Sequence, residues 1–324
     1  MLTAAVAILV GFIILIWSAD LFVAGAASLA ENIGMSPTII GLTIVSLGTS
    51  APEVLVSITA AMSGAGEMAI GNAIGSNIAN IGLVLGVTVL VAPLFVHSSC
   101  MRREVPTLLL ATFAVGVLLL DGELSMLDGI IMLLTLTFIL FQMIRSQSHD
   151  STLLEEADEE PLPHLNPLKA WFTFAVGLLL LIASSRLLVW GAAEVAGELG
   201  VSKMVIGLTV VAVGTSLPEL AATIASALRG HAEIALGNVI GSNLFNLLGV
   251  MSIPGLFATQ TLDPGVMSRD YPAMSVAMLL LALGIYVGRR RNTAPHGHAY
   301  IGRSVGTLLV TLYALYYYWL YLTI

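Results

Sequence analysis

The sequence predicts an all-α integral membrane protein: ten transmembrane helices as two inverted five-helix repeats, with helices 2 and 7 broken. Three observations carry that expectation: a shortage of charge, long apolar stretches and an internal repeat. Hydrophobic residues make up 57% of the 324 and charged residues only 10%, with a mean hydropathy of +0.97. A water-facing chain carries roughly 25% charged residues, so this one has too little polar surface to face water all round. Ala4–Trp17, Val105–Leu120, Ile130–Ile144 and Ala273–Val287 are uncharged cores of stretches able to cross a bilayer, which takes about 20 residues of helix. The runs are continuous rather than alternating, which favours helices over barrel strands.

Gly41–Ile81 aligns without a gap on Gly207–Leu247, an offset of 166 residues with 21 identities in 41 positions. The matches include Gly, Pro, Glu, Asn and Ser, which chance apolar similarity does not produce. The register extends back through Gly25/Gly191, Gly34/Gly200 and Ser36/Ser202. Spans are expected near 4–28, 37–62, 68–93, 104–121, 126–145, 168–194, 203–228, 234–258, 271–288 and 301–322. Five spans per half is an odd number, so the second half must enter the membrane from the opposite side. Equivalent residues are then related by a two-fold axis in the membrane plane, the plan of many secondary transporters.

The expected division is 1–146 for the first repeat, 147–166 for an acidic cytoplasmic linker and 167–324 for the second repeat. The linker holds Asp150, Glu155, Glu156, Asp158, Glu159 and Glu160, much of the net charge of −8, and reads as solvated chain. With the N-terminus outside, cytoplasmic loops hold Arg102, Arg103, Arg145, Lys169, Arg229, Arg289, Arg290, Arg291 and Arg303. Outer loops hold only Lys203 and Arg269, and nine against two is a strong positive-inside bias. Both termini are therefore expected outside. Met1–Thr3 has no basic n-region and Asp20 follows the first apolar run, so the N-terminus reads as an uncleaved first span. The single cysteine, Cys100, excludes an internal disulfide.

Gly48-Thr49-Ser50-Ala51-Pro52-Glu53 and Gly214-Thr215-Ser216-Leu217-Pro218-Glu219 lie midway along spans 2 and 7. Proline lacks an N–H, so the carbonyls of Gly48 and Gly214, four residues earlier, lose their helical partners. A broken helix with free carbonyls follows, tolerated at membrane depth only where protein or a cavity surrounds it. A carboxylate at mid-bilayer costs roughly 2.5–3.5 kcal/mol on insertion scales, so two of them demand a reason. A bound cation supplies one. Thr49 and Ser50 lie four and three residues before Glu53 on one helix face, and Thr215 and Ser216 repeat this before Glu219. All these donors are oxygen, which suits Na⁺ and Ca²⁺; no Cys or His accompanies them, which argues against Zn²⁺, Cu⁺ or Ni²⁺. Spans 3 and 8 add Asn72, Ser76 and Asn80, and Asn238, Ser242 and Asn246, each set recurring every four residues. Asn72, Asn77, Asn238 and Asn243 read more readily as helix-to-helix glue than do Asn80 and Asn246. Gly71 with Gly75, and Gly237 with Gly241, permit close helix contact.

At these residues the chain resembles the sodium/calcium exchanger family of the cation/calcium antiporters, whose alpha repeats carry the same paired blocks. The overall pattern is similar to the bacterial inner-membrane calcium/sodium antiporters, over essentially the whole chain. The resemblance implies four central side chains at Glu53, Asn80, Glu219 and Asn246, completed by Ser50 and Ser216, Thr49 and Thr215, and Ser76 and Ser242. It implies that backbone carbonyls at Ser46 and Ala212 join flanking Na⁺ sites, and that spans 1 and 6 slide across the other eight. It further implies a secondary transporter rather than an enzyme, exchanging Na⁺ for Ca²⁺ by alternating access in the inner membrane. No cofactor and no nucleic acid are expected, and a monomer suffices. The last central position is often aspartate in related exchangers; here it is Asn246, which leaves two carboxylates in place of three.

The nearest rival is a Ca²⁺/H⁺ antiporter in which the same glutamates carry protons; the hydroxyls around each glutamate favour Na⁺. An intramembrane hydrolase is remote, because His97, His149, His164, His231, His296 and His298 all lie near loops or span ends. A passive channel suits inverted halves less well than alternating access does. The orientation is directly testable. In a Cys100-free background, cysteines placed in 150–160 are expected to be shielded from impermeant thiol reagents added outside intact cells. A cysteine near Asp263 is expected to label readily, and the reverse pattern would overturn the orientation.

Overall fold

The structure, a computed structural model, describes residues 1–97, 103–147, 165–200, 212–289 and 298–323. The first half contains α1 (Leu2–Ile33), α2 (Pro37–Thr49), α3 (Ala51–Met62), α4 (Gly66–Val91), α5 (Glu104–Asp121) and α6 (Met126–Arg145). The second contains α7 (Pro167–Glu198), α8 (Ala212–Thr215), α9 (Leu217–Leu228), α10 (Ala232–Phe257), α11 (Val266–Arg289) and α12 (Arg303–Thr323). Among the described residues, eight helices are long and apolar enough to cross a membrane, and α2 with α3 form a ninth span bent by 45°. α8 and α9 are the described part of the expected seventh span; residues 201–211, and the acidic linker at 150–160, lie outside the described residues.

The burial pattern is the inverse of that of a water-soluble domain. Leu9, Ile13, Trp17, Phe113, Leu179 and Leu283 are exposed, whereas Ser46, Ser50, Glu53, Asn77, Glu219 and Asn246 are buried. Apolar side chains face outward where lipid replaces water as the solvent, and polar ones turn inward. α4 and α10, equivalent by the 166-residue offset, are the central helices: 72% and 94% of their apolar windows are buried, against 17% for α12.

Packing between α1 and α7 shows the inversion. Gly11 faces Leu188 while its equivalent Gly177 faces Phe22, and Gly25 faces Phe174 while its equivalent Gly191 faces Ile8. Leu188 and Phe174 are themselves the equivalents of Phe22 and Ile8, so each contact has a two-fold mate. Advancing along α1 means retreating along α7, so the helices are antiparallel. These glycines let the two backbones approach closely. Turns repeat as well: Gly34 and Gly200 close α1 and α7 at φ 70 and 83, a left-handed conformation that glycine adopts without penalty. Asn166 caps α7, its Oδ1 accepting from the Lys169 N–H at 2.9 Å.

Each half is completed by the other. α6 packs on the C-terminal part of α10, with Gly129 against Ser252 and Leu256, and α12 packs on that of α4, with Gly306 against Gly86 and Leu90. Four short strands, absent from the all-helical expectation, repeat the exchange. β1 (Leu94–His97), after α4, pairs antiparallel with β4 (His298–Ile301), before α12. β3 (Gln260–Thr261), after α10, pairs with β2 (Glu123–Leu124), before α6. Leu94 sits opposite Ile301 as Gln260 sits opposite Leu124. The offset that relates β2 to β4 and α6 to α12 is 177 rather than 166 residues, obtained as 301 − 124. The second half is thus eleven residues longer, by 177 − 166, between α11 and β4.

Candidate functional site

The broken turns are formed as the proline positions require. Pro52 and Pro218 occupy the first turn of α3 and α9, and the residues before those helices, Ser50 and Ser216, adopt φ −83, ψ 4 and φ −89, ψ 4. This bridge conformation belongs to turns rather than to continuous helix, and it recurs in both halves. Glu53 and Glu219 fall in the first turn of α3 and α9, where unpaired N–H groups and the helix dipole favour negative charge. Each glutamate is only 1% exposed, and Ser50, three residues before Glu53, comes within reach of Glu219.

The bends send the hydroxyls across to the opposite half. Ser50 Oγ donates to Glu219 Oε1 over a long 3.5 Å, and Thr49 Oγ1 donates to Asn238 Oδ1 at 3.1 Å with Ser242 Oγ 3.5 Å away. Ser46 is buried, and its carbonyl already accepts from the Ser50 N–H at 2.9 Å and from Thr49 Oγ1 at 3.3 Å. α4 and α10 each widen to a turn in which N–H groups reach back five residues, at Asn80–Leu85 and Phe245–Val250; the Met251 N–H donates to the Asn246 carbonyl at 3.0 Å. Such widenings occur often at functional sites. The segment opened by Asn80 packs on α9, which carries Glu219, and the segment holding Asn246 packs on α3, which carries Glu53. Ser76 and Ser242 are buried beside them, Thr215 is half-buried, and Ala212 begins α8 at the edge of the described residues.

Polar atoms without a protein hydrogen-bond partner concentrate here. Glu53 Oε2, Glu219 Oε2, Ser216 Oγ, Asn80 Nδ2 and both amide atoms of Asn246 are buried and unpaired. An unsatisfied buried polar group costs about 1–3 kcal/mol, and more when charged. An oxygen-coordinated cation satisfies several of these atoms at once, and an amide turned by half a rotation offers its oxygen in place of its nitrogen. Among the described residues no group of three His, Cys, Asp or Glu side chains is placed to hold a metal, so the charge available is that of two carboxylates.

Asn72 and Asn238 belong to a supporting layer whose other members, Ser57 and Thr223, the sequence did not single out. Asn238 Nδ2 donates to Thr223 Oγ1 at 3.0 Å, and Thr223 Oγ1 donates to the Glu219 carbonyl at 2.6 Å. Asn72 Nδ2 donates to Ser57 Oγ at 3.4 Å and to the Glu53 carbonyl at 3.3 Å. Ser57 and Thr223 are equivalent residues four positions after the glutamates, so the repeat carried the signal. Asn238 links helices as the sequence suggested, accepting from Thr49 of α2 and donating to Thr223 of α9. Asn77, by contrast, points away to Met274 Sδ, and Asn243 Nδ2 bonds back to Val239 O at 2.6 Å. The Gly214 carbonyl, expected to be free, accepts from Ser185 Oγ of α7 at 2.9 Å.

Inverted halves, a broken turn in each and a buried carboxylate at each break define a secondary transporter rather than an enzyme. The sequence pattern of the sodium/calcium exchanger protein family matches residues 3–145 and 169–322. The chain belongs to that family and is a multi-pass membrane antiporter. The CaxA protein of Alkalimonas amylolytica is 42% identical over 99% of both chains. The sodium/calcium exchanger MaX1 of Methanosarcina acetivorans is 32% identical, covering 87% of this chain and 91% of its own. A solved structure of the sodium-calcium exchanger NCX_Mj superposes with a TM-score of 0.80 at 32% identity, covering 97% of each chain.

The supporting layer yields a prediction. Asn238→Leu removes one acceptor and one donor and leaves the buried Thr49 and Thr223 hydroxyls short of a partner. The expected loss of stability is about 1–3 kcal/mol, read as a lowered melting temperature in detergent. An unchanged melting temperature would show that Asn238 does not hold the two hydroxyls.

Proposed function

We propose that the protein exchanges Na⁺ for Ca²⁺ across the inner membrane by alternating access, extruding Ca²⁺ as Na⁺ enters, as a monomer with both termini outside. The observation that carries this reading is the pair of buried glutamates at symmetric helix breaks, surrounded among the described residues by oxygen and amide groups with unpaired atoms among them. Two ionised carboxylates balance one Ca²⁺ without residual charge. In this reading Glu53, Glu219, Asn80 and Asn246 form the centre. Thr49, Thr215, Ser50, Ser216, Ser76 and Ser242 contribute hydroxyls, and the carbonyls of Ser46 and Ala212 contribute to flanking Na⁺ positions. Residues 1–146 and 167–324 act as the two halves around this centre, with 147–166 as the cytoplasmic linker.

Na⁺ coupling, as against H⁺ coupling, is supported by the hydroxyls gathered at the site: Na⁺ needs several neutral oxygen ligands and a proton needs none. MaX1 and NCX_Mj, both sodium/calcium exchangers, point the same way. The pairing of α1 with α7 supports their movement as one body, because Gly11 and Gly25 of α1 and Gly177 and Gly191 of α7 all face the other helix. The contact with the rest includes one partly exposed ion pair, Arg229 Nε to Asp20 Oδ1 at 3.0 Å.

Two measurements test the reading. Isotopic Ca²⁺ uptake into proteoliposomes is expected to require an outward Na⁺ gradient and to be little changed by an imposed pH gradient; uptake driven by the pH gradient alone would make the protein a Ca²⁺/H⁺ antiporter. Glu53→Gln and Glu219→Gln keep size but remove a charge that divalent binding needs. Each is expected to lower Ca²⁺ flux at least about a hundredfold, the loss of roughly 3 kcal/mol or more expected when a buried charge loses its partner, while the protein still inserts. Near-parental flux in either variant would remove that glutamate from the site.

A further inference from the structure

The two halves of the site differ at one contact between the long helix α7 and the second broken turn. Pro52 and Pro218 each deprive a glycine carbonyl of its helical donor. In the second half that carbonyl, Gly214 O, accepts from Ser185 Oγ, and the bond is buried and 2.9 Å long. Ser185 is 4% exposed and lies 29 residues away in sequence. Its neighbour Ser184 stays within its own helix, bonding to Leu181 O at 3.1 Å, as the equivalent Ser18 bonds to Leu15 O. The equivalent of Ser185 in α1 is Ala19, which has no hydroxyl, so α1 cannot hold Gly48 in the same way.

The hydroxyls that follow behave differently in step with this. Ser50, in the half without the tether, reaches across and donates to Glu219 Oε1. Ser216, in the tethered half, is 1% exposed, and its Oγ has no partner. Gly214 also packs directly against Val189 on the same helix, so the whole turn is drawn toward α7. We propose that Ser185 is a positioning residue for exchange: by anchoring the 214–216 turn to α7 it holds Ser216 back from the glutamates and keeps its hydroxyl available to the transported ion. The site is thereby two-fold in plan but unequal in its readiness to bind. The ion meets one preset hydroxyl and one that must first release a carboxylate.

This inference rests on the cation-exchange reading above and deepens it, so the experiment scores the two separately. Purified protein in detergent is titrated with CaCl₂, following the shift in melting temperature, and isotopic Ca²⁺ flux is measured in proteoliposomes. Removing one buried hydrogen bond is worth about a threefold to tenfold change in an equilibrium. Ser185→Ala is therefore expected to raise the Ca²⁺ half-saturation about threefold to tenfold in both assays, with a smaller effect on maximal flux. Ser185→Thr, which keeps the hydroxyl, is expected to restore the parental half-saturation. Because Ser185 acts through Ser216, Ser185→Ala added to Ser216→Ala is expected to raise the half-saturation no further than Ser216→Ala alone.

A half-saturation within twofold of the parent in Ser185→Ala would overturn the proposal. So would a threonine variant as impaired as the alanine one, or effects that multiply in the double variant. A lowered ligand-free melting temperature and maximal flux with unchanged half-saturation would mark Ser185 as structural only, and overturn it as well. If the parent moves Ca²⁺ against protons, Na⁺ coupling fails while the Ca²⁺ titration still decides Ser185. If the parent is not stabilised by Ca²⁺ and carries none, both fail together.

Discussion

Two carboxylates held side by side in a low-dielectric interior repel each other and forgo hydration, and everything around Glu53 and Glu219 answers that difficulty. Each sits at the start of a half-helix, whose dipole and free N–H groups favour negative charge. Glu219 is also reached by the Ser50 hydroxyl from the broken turn of the opposite half. These devices ease the cost but leave carboxylate and amide atoms unpaired. A protein in this condition is more comfortable with a cation bound than without one, and that preference is the physical root of obligatory exchange. In the exchange reading proposed above, leaving one ion unreplaced exposes the repulsion, so movement between states is favoured only when the site is loaded.

The symmetry follows from the same demand. A site open to either side of a membrane must present equivalent surroundings from both directions, and two inverted copies supply this with one set of local rules. Proline placement, the widened turns at Asn80 and Asn246, and the glycine seam between α1 and α7 all recur in both halves. The tyrosine-rich helix α12 departs from this economy. Tyr316 donates to Asp270 Oδ1 at 3.0 Å, and Arg269 binds both Asp270 and Thr323, clamping α12 to the start of α11. Ile139 stands in the first half where Tyr316 stands in the second, and the clamp sits at the end of α11 that the charge pattern assigns to the outside.

Much of this was legible in the sequence because its signals are local. Hydropathy and the gapless repeat located most of the spans, and the Pro-Glu pairs located both breaks. Equal spacing put Asn80 and Asn246 in matching turns. What escaped was non-local. Helical spacing placed Thr49 and Ser50 beside Glu53, whereas a bend at Ser50 turns them toward Glu219, Asn238 and Ser242 of the other half. The change of offset from 166 to 177 hid the equivalence of α6 with α12, and a short strand of two to four residues leaves no hydropathy trace of its own. Ser185 looked like one more small residue in an apolar helix; only the position of Gly214 gives its hydroxyl a purpose. Ser57 and Thr223 were visible as an equivalent pair, but a hydroxyl in a membrane helix usually bonds to its own backbone and so attracts little notice.

The exchange of partners between halves, with α6 resting on α10 and α12 on α4, has a consequence for the ancestry and the freedom of the fold. Neither half meets its own last helix in that contact, and the two ribbons likewise pair strands from opposite halves. Two separate copies of a single five-span chain, inserted in opposite orientations, have every surface needed to form the same assembly. Such a pair of identical chains is bound to be equal: any serine in one is a serine in the other. Joining the copies into one polypeptide releases that obligation. A hydroxyl can then stand at position 185 and a methyl at 19, and an asparagine can be kept or lost in one half alone. The covalent link thus does for the transporter what no interface can, by letting its two faces evolve apart.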